Sequence, residues 1–419
     1  KKNMSGAFFA GPRSPARPPP RPRMCRGQWG WAGASAAHVW GPWGVRSRKR
    51  FWLFLAFWGV RKCAAAGNHD LLFGSAVRYN YYDDNTPATT EADKIWIPSV
   101  FAQDEYSFAP KHSFLAGLRY DYDQRHGNIL TPRAAYKWKI SDNDIFRVNA
   151  GTGFRVVNLF TEDHAALTGS REVVIAEELK PERSVNVNIN YLKKIYSDNG
   201  TFIGLDASAF YTRFSNVILP DYETNPNQII YDNLDGKSVS QGISANVDIA
   251  FPSSFKIMVG ATWQDVSNTE NGVTQQQILT ESITATWNLS YTFRSLHLTA
   301  DYTGNLYGPM RLPLLGDLDP RSEYSPTWSI QNIQFTYKGL NNFEVYGGIK
   351  NLLDWTPNRG NPFIIARASD PFDKEVTFDN NGNAVATPNN PYALTFDPSY
   401  VYGPNQGIRG FFGLRYTVF

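Results

Sequence analysis

The feature that most limits what this chain can fold into is an alternation of apolar and polar residues, recurring from Asp70 to the C-terminus. A period of two marks a β-strand with one apolar and one polar face. SVNVNINYL (184–192) sets Val185, Val187, Ile189 and Tyr191 against Asn186, Asn188 and Asn190. ITATWNLSYTF (283–293) sets Ile283, Ala285, Trp287, Leu289, Tyr291 and Phe293 against threonines, Asn288 and Ser290. GISANVDIAF (242–251) and SLHLTADY (295–302) follow the same rule. So does the final run, RGFFGLRYTVF (409–419), with Phe412, Leu414, Tyr416 and Val418 on one side.

A soluble β-sandwich would alternate in the same way, so the connections have to decide. Short polar turns fall near 109–112, 141–144, 197–200, 252–254, 294–295 and 339–342. Longer polar or proline-rich links fall near 83–94, 124–131, 154–182, 214–228, 266–280, 306–325 and 354–405. Short and long links alternate, which places tight turns at one end of a meander and long loops at the other. Bacterial outer-membrane barrels have that asymmetry, with short turns in the periplasm and long loops outside the cell. No apolar run reaches the roughly 18–20 residues of a spanning helix. The fold expected is therefore all-β: an antiparallel up-and-down transmembrane barrel of about fourteen strands in the bacterial outer membrane. An even number puts Asp70 and Phe419 on the short-turn side. The apolar face meets outer-membrane lipid, and Tyr122, Tyr191, Phe251, Phe293 and Tyr337 are expected to form a periplasmic aromatic girdle.

The first part of the chain obeys no such rule. Residues 1–69 hold thirteen Lys or Arg and no Asp or Glu, together with both cysteines (Cys25 and Cys63) and six of the twelve tryptophans. RSRKRFWLFLAFWGVRKCAAAG (46–67) imitates a secretory signal, but Arg61 and Lys62 interrupt the path to a cleavage site. Interleaved Arg and aromatic residues also permit a nucleic-acid arm. The reading adopted is a non-domain segment over 1–67, non-native or disordered, ahead of a partial barrel over 68–419, with no nucleic-acid partner. With no cysteine after Cys63, disulfides and thiolate metal sites are excluded from the barrel.

Three stretches together resemble the C-terminal barrel of TonB-dependent outer-membrane receptors. NAGTGFRVVNLFTE (149–162) looks like that family's strand-into-loop motif. EELKPERSVNVNINY (177–191) resembles its Leu-Lys-Pro-Glu-x-Ser approach to the next strand, and GGIKNLLDWTP (347–357) its penultimate-strand motif. The resemblance implies a plug domain, an energy-coupling motif and a barrel of about 22 strands, of which this chain would hold the last fourteen or so. It implies three partners: the energy-transducing TonB complex, whose contact region is absent here, the barrel-assembly machinery, and a scarce nutrient. Ferric siderophore is the first expectation for the nutrient, ahead of cobalamin, haem or an oligosaccharide. Gly413, Tyr416, Val418 and Phe419 resemble the C-terminal signal for barrel assembly, with Phe419 one residue off the lipid-facing register.

The long loops are where a ligand would be met. Arg155, Arg171, Tyr222, Tyr231, Arg311, Tyr324, Arg359, Arg367 and Tyr392 lie in or beside them and could hold an anionic, aromatic iron chelate by charge and stacking. Lys350 is expected at the lower end of its strand, facing the lumen and paired with a carboxylate. DNNGNAV (379–385) reads as a hairpin around Asn381-Gly382. The scattered histidines lack metal-ligand spacing, and DGKS (235–238) lacks the leading glycine of a phosphate loop. No enzyme, metal or cofactor is expected. Two competitors to the receptor are a passive porin-like channel and a soluble all-β binding module.

Overall fold

A computed structural model describes residues 26–32, 56–64, 67–82, 93–157, 172–225, 228–313, 322–357, 377–380, 384–391, 393 and 402–418. Two strands, β1 (Arg26–Ala32) and β2 (Ala56–Ala64), precede a meander. It begins with β3 (His69–Tyr82), β4 (Asp93–Ala109), β5 (His112–Asp123), β6 (Gly127–Lys139) and β7 (Asp144–Arg155). It continues through β9 (Glu182–Tyr196), β10 (Phe202–Asn216), β13 (Gly236–Ala250) and β14 (Phe255–Glu270). It ends with β16 (Ile283–Phe293), β17 (Leu298–Tyr307), β18 (Trp328–Leu340), β19 (Phe343–Lys350) and β22 (Arg409–Tyr416). Those fourteen strands pair antiparallel, each with the next, matching the number read from the sequence. The remaining strands lie in the links: β8 (Glu172–Ile175), β11 (Ile218–Asp221), β12 (Gln228–Asn233), β15 (Val273–Gln276), β20 (Thr377–Phe378) and β21 (Ala384–Val385).

The large sheet also runs through the basic head: β2 pairs antiparallel with β3, and β1 with β2. It holds seventeen strands when these two and β15 are counted.

One face of the meander is an exposed apolar surface. Phe73, Trp96, Leu118, Ile189, Ile243, Trp263 and Phe335 lie on it, and so does the last strand, where Phe412 is 73% and Leu414 60% exposed. Water would not tolerate a continuous surface of this kind on a monomer, but the hydrocarbon of a bilayer would. The opposite face carries Asn186, Asn190, Asp206 and Ser208, bonded across strands: Asn190 Nδ2 donates to Asp206 Oδ1 at 2.7 Å and to Ser208 Oγ at 3.0 Å. Buried polar groups collect on this inner face, including Ser99, Asp121 and Asp123. Aromatic side chains pack in pairs near the tight turns, as Tyr196 with Phe202, Phe251 with Phe255 and Phe343 with Tyr416.

The sequence misread three positions. Residues 124–131 are not a long link: β5 turns into β6 over 124–126 alone. Asp123 Oδ1 accepts the backbone N–H groups of Arg125 and His126, and Gly127 takes φ +71°, so a tight turn closes at the long-loop end. Tyr122, which closes β5, lies at that end and not with the other four aromatics. Lys350 also closes an upward strand at the long-loop end, and its ammonium lies 5.3 Å from the Phe411 ring centroid, with no carboxylate bonded to it among the described residues. The link expected at 266–280 starts later, because Asn271 and Gly272 both take positive φ and fold β14 back on β15.

Candidate functional site

The long links do not hang as separate loops. Next to β7 and β10, β8 pairs in parallel with β12 and β12 antiparallel with β11, forming a three-stranded sheet above the wall. The two-residue period of QIIYDN builds it: Ile229 and Tyr231 are buried on one face with Ile218 and Tyr222. Ile230 and Asp232 point the other way, into a cavity. A second apolar cluster joins Met310, Leu312 and Trp328, with Trp355 stacked on Trp328 at a centroid distance of 4.2 Å.

Polar hubs fix these links to the strand tips. Arg155 Nε, at the end of β7, donates to Glu182 Oε2 at 2.6 Å, and the other Glu182 oxygen accepts the Ile218 N–H at 3.1 Å. The carboxylate is buried and thus joins the β7 tip, the start of β9 and the start of β11. Asn233 Oδ1 accepts the Lys180 N–H and an Asn216 amide hydrogen, while its Nδ2 donates to Glu177 Oε1 at 2.5 Å. That donation, the largest effect, holds the Glu177 carboxyl below its ordinary value. Asn351 is buried and donates to the carbonyls of Trp355 and Gln406, which fixes both ends of the longest link.

Arg311 binds three loops together. Its Nη2 donates to both Glu223 oxygens at 2.9 Å, Nη1 to Gln275 Oε1 at 3.2 Å and Nε to Glu323 Oε1 at 3.3 Å. It also lines the cavity beside β12, whose volume is about 620 Å³. Asp221, Glu223, Asp232 and Glu270 share that lining. A second recess of about 420 Å³ lies by the tip of β7, lined by Arg78, Asn80, Arg119 and Arg155. There Arg119 forms a bidentate pair with the buried Asp121.

Of the residues picked out from the sequence, Arg155, Tyr222, Tyr231, Arg311 and Tyr324 lie at the long-loop end. Arg311 and Tyr324 share a β-bridge, while Tyr222 and Tyr231 are buried in one cluster, 5% and 2% exposed. Arg155 sits by the smaller recess instead. Arg171, Arg359, Arg367 and Tyr392 fall outside the described residues, as does Phe419. Gly413 and Tyr416 lie in β22, and Val418 follows it on the exposed apolar side. Sequence reading sought cations and aromatics, and so passed over Glu182, Asn233 and the acids beside β12. The acid-rich DYE (221–223) and DNLD (232–235) were the available signal.

Comparison with known proteins agrees with this architecture. A family model described as "TonB dependent receptor-like, beta-barrel" matches residues 33–352. No curated protein matches the sequence. Among solved structures, the siderophore receptor PirA from Acinetobacter baumannii is similar, with 14% identity and a TM-score of 0.60, over 87% of this chain and 54% of that one. PirA from Pseudomonas aeruginosa has 18% identity and a TM-score of 0.52, over 72% and 52%. The copper transporter OprC has 14% identity and a TM-score of 0.54, over 72% and 50%. Such identities establish a shared fold and leave the ligand open. The chain spans about half the length of each of these proteins.

Proposed function

Because this chain belongs to the TonB-dependent receptor β-barrel family, we propose that it forms part of an outer-membrane receptor that imports a scarce nutrient with energy supplied through TonB. Members of the family are transport receptors of Gram-negative outer membranes. The observation that carries the reading is the division of labour along the meander. Six tight turns share one end, while at the other several links fold into a packed layer with a ligand-sized cavity.

The nutrient proposed first is a ferric siderophore, in keeping with the siderophore receptors that share the fold; cobalamin, haem and oligosaccharide follow. Arg155, Arg311, Tyr324 and the loop residues Arg171, Arg359, Arg367 and Tyr392 are its proposed contacts. Lipid around the apolar face and the barrel-assembly machinery reading Gly413, Tyr416, Val418 and Phe419 complete the proposed partners. The division at 67/68 is kept as a proposal drawn from composition, with strands β1 and β2 lying on its N-terminal side.

The test is uptake of radiolabelled iron as a siderophore complex by iron-starved cells with and without this gene. The receptor reading expects uptake to vanish with the gene and also when the proton-motive force is collapsed. Uptake that needs the gene but survives that collapse would instead establish the alternative, a passive porin-like channel.

A further inference from the structure

We propose that the inner face of β6 and β7, on the wall below the loop layer, binds a small multivalent oxyanion bearing phosphate or carboxylate groups. Lys137 and Arg147 are direct partners across these two strands, so both cations project from the same face. Like charges placed directly opposite each other destabilise a strand pair, and a counter-ion between them removes that cost. Arg133 shares the same face of β6, an even number of residues away. Its partners on the neighbouring strands are Gly117 and Gly151, and a Cβ at Gly117 would lie 3.1 Å from Arg133 Nε. The glycines thus leave the Arg133 side chain room to lie flat against the wall.

None of the three cations has a carboxylate partner among the described residues. Arg133 donates to Gln103 Oε1 and Arg147 to Asn190 Oδ1 at 3.0 Å, both neutral amides. The Lys137 ammonium has no hydrogen bond or ion pair among the described residues. The acids of β5, β6, β7 and β9 are all engaged elsewhere. Asp121 holds Arg119, Asp123 caps the β5–β6 turn, Asp144 holds Lys193 on the outer face and Glu182 holds Arg155. Beyond these strands, Glu105 lies on β4, and Asp206 lies on β10, on the far side of Asn190 from Arg147. The patch is therefore left with positive charge and N–H donors in excess. An oxyanion accepts from the guanidinium and ammonium groups without breaking either amide bond, and a multivalent one neutralises Lys137 and Arg147 together.

Inorganic pyrophosphate is the probe, titrated calorimetrically into the full chain in uncharged detergent micelles at low salt. One saturable site is expected, about tenfold or more tighter than for acetate and weakening as salt is added. Lys137→Gln relieves the repulsion and should fold at least as well as the unaltered protein, yet weaken pyrophosphate by about tenfold. Arg147→Gln should weaken it by a similar factor. Lys139→Gln removes a cation already paired with Asp142 and should change binding by less than about twofold. Pyrophosphate that fails to saturate, or acetate that binds as tightly, overturns the proposal. So does binding that survives both Lys137→Gln and Arg147→Gln, or an equal loss from Lys139→Gln. The site needs neither TonB nor a ligand in the loops. Energy-dependent iron uptake that persists while pyrophosphate fails to bind would sink this inference alone and leave the receptor reading standing.

Discussion

The strand wall and the loop layer above it are built from the same chain by different rules. In the wall, β9 pairs with β7 through an unbroken backbone ladder and with β10 through one whose register shifts at Phe214/Asn216, and its side chains need only the right polarity on the right face. Val187 and Ile189 differ little in their duty, nor do Asn186 and Asn188. In the loop layer, pairing is short, and particular side chains hold particular links: Glu182 under β11, Asn233 across to Glu177, Arg311 across three loops. The wall is therefore specified by pattern and the layer by individuals. Substitutions should be tolerated in the first wherever polarity is kept, and in the second only where a named bond survives.

The largest effect should come from reversing polarity in the wall. Ile189→Arg puts a charge on the apolar face midway along β9, opposite Val148 and Ala209. It should cost about 2–4 kcal/mol in lipid and sharply reduce the folded fraction recovered from membranes. Asn188→Ser, one residue away on the inner face, should stay within about 0.5 kcal/mol. Equal damage from both would break the comparison. In the loop layer, Ile229→Ala removes a side chain that is 1% exposed. A cost of about 2 kcal/mol is expected, felt as faster hydrogen exchange across β8, β11 and β12 with the wall unchanged.

Smaller losses should follow from the polar hubs. Glu182→Gln keeps the shape but removes the charge facing Arg155 and should cost about 1–2 kcal/mol, read as exchange at the Ile218 amide. Arg311→Gln should release the loops bearing Glu223 and Glu323 at a cost of about 1 kcal/mol, since both carboxylates are substantially exposed. The smallest effect is a pH dependence. Glu177 is held below its ordinary value of 4.5 by the Asn233 amide. A depressed carboxyl contributes its stabilisation above the unfolded value and loses it as pH falls through the folded one. Exchange in β12 should thus be flat near neutrality and rise only in the acid range below 4.5, and Glu177→Gln should remove that rise.

The contrast also explains what could be read from the sequence. Polarity has a two-residue period that local sequence displays, so fourteen strands, their faces and six tight turns were legible before any coordinates. The β5–β6 turn was not, because its closure depends on the Asp123 carboxylate capping two amides within a polar run that also suits a loop. Tyr122, which closes β5 at the long-loop end whether that link is long or short, was misplaced independently. The loop layer was nearly invisible: Arg311 and Glu223 are 88 residues apart, and nothing in the local pattern of either points to the other. Burial of Tyr222 and Tyr231, which sequence reading placed among exposed contacts, depends on the pairing of β8 with β12 across 56 residues of sequence.

The central claim is that the wall spans the outer membrane with the loop layer facing outward, and cysteine labelling of intact cells tests it most directly. In a background with Cys25→Ser and Cys63→Ser, Asn271→Cys marks the turn between β14 and β15, and Asp142→Cys marks the tight turn between β6 and β7. With a membrane-impermeant maleimide, Asn271→Cys should label in intact cells, and Asp142→Cys only after the outer membrane is opened. Labelling of Asp142→Cys in intact cells, or recovery of the protein in the soluble fraction, would contradict the account.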